Sequence, residues 1–223
     1  MDRTIRVTGK GVLQRTPDMV RIRIDLNDTD KEYAKALERS LRHAEEVKQA
    51  FSDLGFQKSD LKTLSFRVDT EYESYQDETD HVWKQRLLGY RAVHVLKVEF
   101  ARDPDRLGRV LHMIQRLPAE PEFQLEYFLR DAEAAKAELL SEAVKDSRRK
   151  AAVLADAAGV KLGEILNIDY SFGTIEFVSR PMNKMAMPTM ATGMAMEEDR
   201  LSFDIDPDDI RVEDTVTVIW EIL

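Results

Sequence analysis

Methionine supplies the densest concentration of chemically distinctive side chains in this sequence. Met182, Met185, Met187, Met190, Met194 and Met196, six of the nine methionines, fall in one stretch within residues 179–203. Thioethers are soft ligands, so clustered methionines suit Cu(I). The same polarizable, unbranched chains suit an adaptable protein contact. Ala, Pro, Thr and Gly interleave them, which favours an irregular contact loop over a metal site. Next comes an acidic run: Glu197, Glu198, Asp199, Asp204, Asp206, Asp208 and Asp209. Its DIDPDD segment looks like the start of a calcium loop. An EF-hand needs Gly at its sixth position and Glu at its twelfth. Asp209 and Thr215 stand there instead, so the run reads as a solvated turn before a last strand.

The other candidates are weaker. His43, His81, His94 and His112 are scattered, with no HExxH spacing to put two ligands on one helix face. His94 is in phase with Tyr90, Ala92, Leu96 and Val98, which predicts a buried, hydrogen-bonded imidazole. Gly9-Lys10-Gly11 leads into a strand and lacks a third glycine, so it signals a bulge or a close backbone approach, not a phosphate loop. Tyr72, Tyr75 and Trp83 border a polar loop over 73–86, where they either pack partly against the hairpin or form a candidate exposed aromatic patch. There is no P-loop, nucleophile elbow or Ser/His/Asp set. We therefore assign no catalytic, cofactor or metal residues, and expect a non-enzymatic protein. The six methionines, with Tyr75 and Trp83, are the candidate interaction residues.

Bulk properties narrow the partners. A net charge of -9 argues against a general grip on nucleic acid or anionic membrane, which needs a basic surface. The absence of cysteine excludes disulfides and thiolate chemistry. No run of 18 apolar residues offers a membrane span. The opening MDRTIRVTGKGV has no apolar signal region, so the expected location is cytoplasmic.

These residues must be held by a framework whose most legible element is Asp131 to Gly159. Asp131 is a good N-cap, Glu133 lies in the first turn, and Gly159 can take the left-handed terminal conformation. Between them Ala135, Leu139, Ala143, Ser147, Ala151, Leu154 and Ala158 make an amphipathic stripe whose small residues suit lying close on a sheet. A second long helix is predicted up to Leu54, with Thr29 and Glu32 as its capping box and Gly55 as its stop. Asp103-Pro104 opens a shorter one. Alternation predicts strands at Thr4–Leu13, Val20–Leu26, Leu64–Tyr72, Leu87–Phe100, Phe123–Leu129, Leu166 to about Phe177, and Ile210–Leu223. Offsets near 103 and 104 superpose two strand–helix–strand–strand patterns, 18–100 and 121–223. The expectation is an α+β fold over 1–223 as one domain. It contains these two pseudo-repeat units, mixed sheets, long helices packed on the sheet, and one extra short helix between the units.

Taken together, IRVTGKGVLQRTPDMVRIRIDL, LGFQKSDLKTLSFRVDTEY, GYRAVHVLKVEF, AVKDSRRKAAVLADAAGVKLGEIL and FDIDPDDIRVEDTVTVIWEIL resemble the SIMPL-domain family along essentially the whole chain. The resemblance implies a bacterial protein of poorly defined role, without agreed catalytic residues. Periplasmic relatives are linked to oxidative-stress defence, and one immunogenic relative assembles into large ring-like or barrel-like oligomers. From this we expect a self-assembling homo-oligomer with a stress-protective role. The alternative is a small-ligand-binding module, its ligand unknown, with a site between the repeat units or under the hairpin loops.

Overall fold

A computed structural model describes residues 3–76, 83–171, 175–180 and 206–223. In chain order the elements are β1 (Thr4–Arg15), β2 (Met19–Asp30), α1 (Tyr33–Asp53), β3 (Lys62–Gln76), β4 (Trp83–Ala101) and α2 (Pro104–Gln115). Then come β5 (Glu122–Phe128), α3 (Ala132–Ala157), β6 (Leu162–Asp169), β7 (Val178–Ser179) and β8 (Ile210–Ile222). The fold is α+β, and the chain divides into two compact units.

One unit comprises Met19–Glu126 with Asp206. Here β4 is central, pairing antiparallel with β2 on one side and β3 on the other. The two strands joined through α1 are therefore parallel to each other, with β4 between them. The even-numbered side chains of β2 from Val20 to Leu26 are fully buried, as are Val47 and Phe51 of α1. Phe51, Phe56 and Phe100 meet edge to face, with centroids 5.3 and 5.5 Å apart, and the Arg106 guanidinium lies 3.9 Å over Phe56. Asp103 caps α2, accepting the Arg106 N–H, and Gly55 closes α1 at φ 83°. The start of α1 differs from expectation. Thr29 is still in β2, paired with Arg91, and Glu32 is the N-cap without a side-chain capping bond. Pairing with the long β4 holds residues 29 and 30 extended, which local capping signals cannot foresee.

The other unit comprises the described residues up to Asp18, Tyr127–Arg180 and Pro207–Leu223. Its sheet order is β1-β8-β6, all antiparallel. The offset comparison laid β5 on β2, but the strand flanking β8 as β2 flanks β4 is β1. β6 stops at Asp169, short of the expected Phe177. That residue is instead buried against Leu13, Leu139 and Ile210, while Phe172 lies outside the described residues.

The helix α3 lies almost on the backbone of β1. A Cβ on Gly9 would sit 2.0 Å from the Ala143 carbonyl, and one on Gly11 2.1 Å from that of Leu139. These glycines thus serve the close approach anticipated for them. Ser147 is buried between the layers, donating to the Val7 carbonyl at 3.4 Å and accepting the Trp220 indole N–H at 3.3 Å. Asp131 caps α3 by accepting the Ala134 N–H, and Gly159 ends the helix at φ 68°.

Candidate interaction surface

A helix and a strand of similar residue count differ greatly in length. The 21 residues of α1 span about 32 Å, whereas the 19 residues of β4 span about 63 Å. The helix begins over Tyr90, where the Tyr33 ring packs edge-on at 5.6 Å. Beyond that point β3 and β4 continue as a two-stranded ribbon, which no other described element covers on its helix-side face.

Which side chains share that face follows from register, because directly paired residues point the same way. Tyr72 pairs with Leu87, and Gln76 with Trp83, so Tyr72, Leu87 and Trp83 are on one face. They are 58%, 49% and 69% exposed. Tyr75 pairs with Lys84 and takes the opposite face. There the Arg86 guanidinium lies 5.7 Å from its ring centroid and bridges to Glu73 at 2.6 Å. A bulge helps set this division. Between the pairs Glu71–Gly89 and Tyr72–Leu87, Leu88 has no partner, which reverses the facing parity of β4. Phe66, further along the same β3 face, is exposed at its rim but packs edge-on against His94 at 5.1 Å. In the other unit the edge strand β6 exposes Ile165, Leu166 and Ile168.

The remaining candidates take different places. Met182, Met185, Met187, Met190, Met194, Met196 and His81 lie outside the described residues, as do Glu197, Glu198, Asp199 and Asp204. Asp206 bridges to Arg102 at 2.9 Å. Asp209 accepts from the Thr16 hydroxyl at 2.7 Å and the Gln14 amide at 3.1 Å, and these bonds lower its pKa. Among the described residues no three His, Cys, Asp or Glu side chains are placed to share a metal ion.

His94 is buried and shares a 3.0 Å hydrogen bond with the Thr63 hydroxyl. Burial, aided by Lys48 and opposed by Asp28, lowers its pKa and so favours the neutral ring. Sequence reasoning missed a second imidazole, that of His43, whose Nδ1 is 2.7 Å from Oδ1 of the buried Asp28. The available signal was Asp28 itself, which continues the buried phase of β2 beyond Leu26. A carboxylate orienting an imidazole is half of a general-base arrangement. Ser40, one helical turn earlier, does not complete it: its hydroxyl is buried without a hydrogen-bond partner.

Sequence reasoning also assigned no task to Asp146. It is buried in the α3 unit and accepts the Lys10 backbone N–H at 2.9 Å and the Lys150 ammonium at 2.7 Å. Lys150, the Lys10 amide and Arg149 hold its carboxyl well below the usual range against the opposing effect of burial. It satisfies a backbone donor on the edge strand β1, a structural task.

The sequence model of SIMPL, described as a protein of unknown function (DUF541), matches residues 5–220. The 26 kDa periplasmic immunogenic proteins of Brucella melitensis and Brucella abortus are each 27% identical over 164 residues. Those matches cover 74% of this chain and 65% of the relatives, so the chain spans under two thirds of their length. Both names point to export, and they overturn the cytoplasmic expectation, which rested only on the apolar content of the first residues. Two solved structures were also matched. A Bacillus cereus protein related to NIF3 has 9% identity and a TM-score of 0.23, over 74% of this chain and 39% of that one. The regulatory subunit of aspartate kinase from Thermus flavus has 11% identity and a TM-score of 0.20, over 97% and 90%. Scores this low carry no argument about fold or function.

Proposed function

This chain belongs to the SIMPL family, and from that premise we propose that it is a non-enzymatic protein that assembles with copies of itself. The observation that carries the reading is the uncovered ribbon face with Tyr72, Leu87 and Trp83. Contiguous exposed apolar groups rimmed by polar ones mark contact surfaces. Aromatic residues are enriched where such contacts bind most strongly. The charged β3 edge, with Arg67, Asp69, Glu71 and Glu73, resists strand-to-strand addition and leaves the face as the contact. The family resemblance supports a stress-protective role for the assembled form.

Light scattering across micromolar concentrations tests assembly. The expected result is a mass that rises with concentration and returns to the monomer in the Tyr72→Ser/Leu87→Ser/Trp83→Ser variant, with circular dichroism unchanged. A parent protein that is monomeric throughout overturns the reading. Fluorescence supplies a second measurement, since the other tryptophan, Trp220, is buried in the α3 unit. In a Trp220→Phe background, emission from Trp83 should shift to the blue on assembly.

A further inference from the structure

A separate groove lies between α1 and α2, within the unit that contains both. Its floor is apolar, formed by Ala50 of α1 and Leu54 just after it, with Met113 of α2 and Leu117 just after that helix. Its rim is cationic or basic throughout: Arg109, His112 and Arg116. Their spacing of three and four residues puts all three on one face of α2, over about 10 Å at about 1.5 Å per residue. No carboxylate lines the groove.

The distinguishing feature is that no described residue pairs with these groups. In a chain of net charge -9, most described arginines sit in ion pairs, as Arg15 does with Glu138 and Arg39 with Asp30. Among the described residues, Arg109, His112 and Arg116 have no ion pair or side-chain hydrogen bond. The carbonyl end of α2 favours a cation near Arg116 and His112, but that influence fades within the last turn and does not reach Arg109. Three basic groups around an apolar floor, with no partner among the described residues, present a complement for an anion with an apolar tail.

We propose that the α1–α2 groove binds a small anionic amphiphile, its oxyanion head held by Arg109, His112 and Arg116 and its chain laid over Ala50, Leu54, Met113 and Leu117. The groove holds about 380 Å³, at the small end of the range for ligand sites, or roughly a dozen heavy atoms at about 30 Å³ each. A protein partner would need about 800 Å² of surface, more than this groove provides. Guanidinium groups fit carboxylate and phosphate equally well in a two-point bond, so the head is either of these. The inference is independent of self-assembly.

Calorimetry on the full chain tests it, using decanoate and decyl phosphate below their micelle concentrations and decyltrimethylammonium as the charge-reversed probe. Saturable one-site binding of at least one anion is expected, with the preferred anion identifying the head group. Arg109→Gln and Arg116→Gln, both at exposed positions, should each weaken that binding roughly tenfold or more. Ala50→Phe should block it by filling the floor while leaving every charge in place. Failure of both anions to saturate, equal binding of the cationic probe, or undiminished binding by the folded arginine variants would each overturn the proposal.

Discussion

The two helix-on-sheet units solve one packing problem in opposite ways. Where α1 covers β2 and β4, large side chains fill the space: Ile22, Ile24, Leu26, Val47 and Phe51 are all fully buried. Where α3 crosses β1, the contact face is small: Gly9 and Gly11 on the strand, Ala143, Ser147 and Ala151 on the helix, with the larger Val218 and Trp220 filling the β8 side. The first unit derives stability from apolar volume, at up to about 3 kcal/mol for each large side chain buried. The α3–β1 contact of the second relies on backbone proximity, which leaves no room for added atoms. Helix-on-sheet architecture therefore does not dictate the residue sizes between its layers. Each unit should be sensitive to the opposite kind of change.

The largest effect should come from Phe51→Ala. Emptying that site should cost about 3–5 kcal/mol, with the amides of α1, β2 and β4 losing hydrogen-exchange protection first. Next is Gly9→Ala, which adds one carbon where the space is already taken and should cost about 1–3 kcal/mol, read in the exchange of α3 and β1. If Gly9→Ala is silent, or if Phe51→Ala costs under about 1 kcal/mol, the contrast between volume-filled and backbone-close packing is wrong.

The smallest effects concern pH, with one window near the imidazole value and one in the carboxylate range. The lowered pKa of His94 means that its neutral form stabilises the α1 unit fully above the ordinary imidazole value of 6.5. That contribution is lost as pH falls below it, because the unfolded chain then binds the proton more readily. The lowered pKa of Asp146 places its contribution above the ordinary 3.8, to be lost as pH falls below that value. Urea midpoints measured from pH 7.5 to 3 should therefore decline in two stages. His94→Gln should flatten the first and Asp146→Asn the second. A first stage unchanged in His94→Gln would remove His94 as its cause.

Much of the framework was readable from the chain because its signals are short-range. Asp103 and Asp131 cap helices three residues away, and Gly55 and Gly159 end them through their own backbone angles. The alternation in β2 and β8 and the buried phase of His94 were equally visible. The candidate surface was only half visible. Tyr75 and Trp83 were grouped because they border one loop, yet the ribbon places them on opposite faces. The bulge at Leu88 that sets the facing of β4 is defined by the partner strand, not by residues near it in sequence. The Asp28–His43 bond and the Asp146 contacts were hidden for a related reason, since their partners lie 15 and 136 residues away.

The sequence by itself determined which segments form helices and strands, though not where α1 starts or β6 ends, and that two glycines admit a close backbone, because those properties depend on a few neighbouring residues. Tertiary structure alone decided that β1 completes the sheet beside β8, that Tyr72, Leu87 and Trp83 share a face the helix is too short to cover, and that Arg109, His112 and Arg116 meet an apolar floor from another helix. Those outcomes depend on strand registry and on helix length measured against strand length, quantities that exist only once distant segments have met.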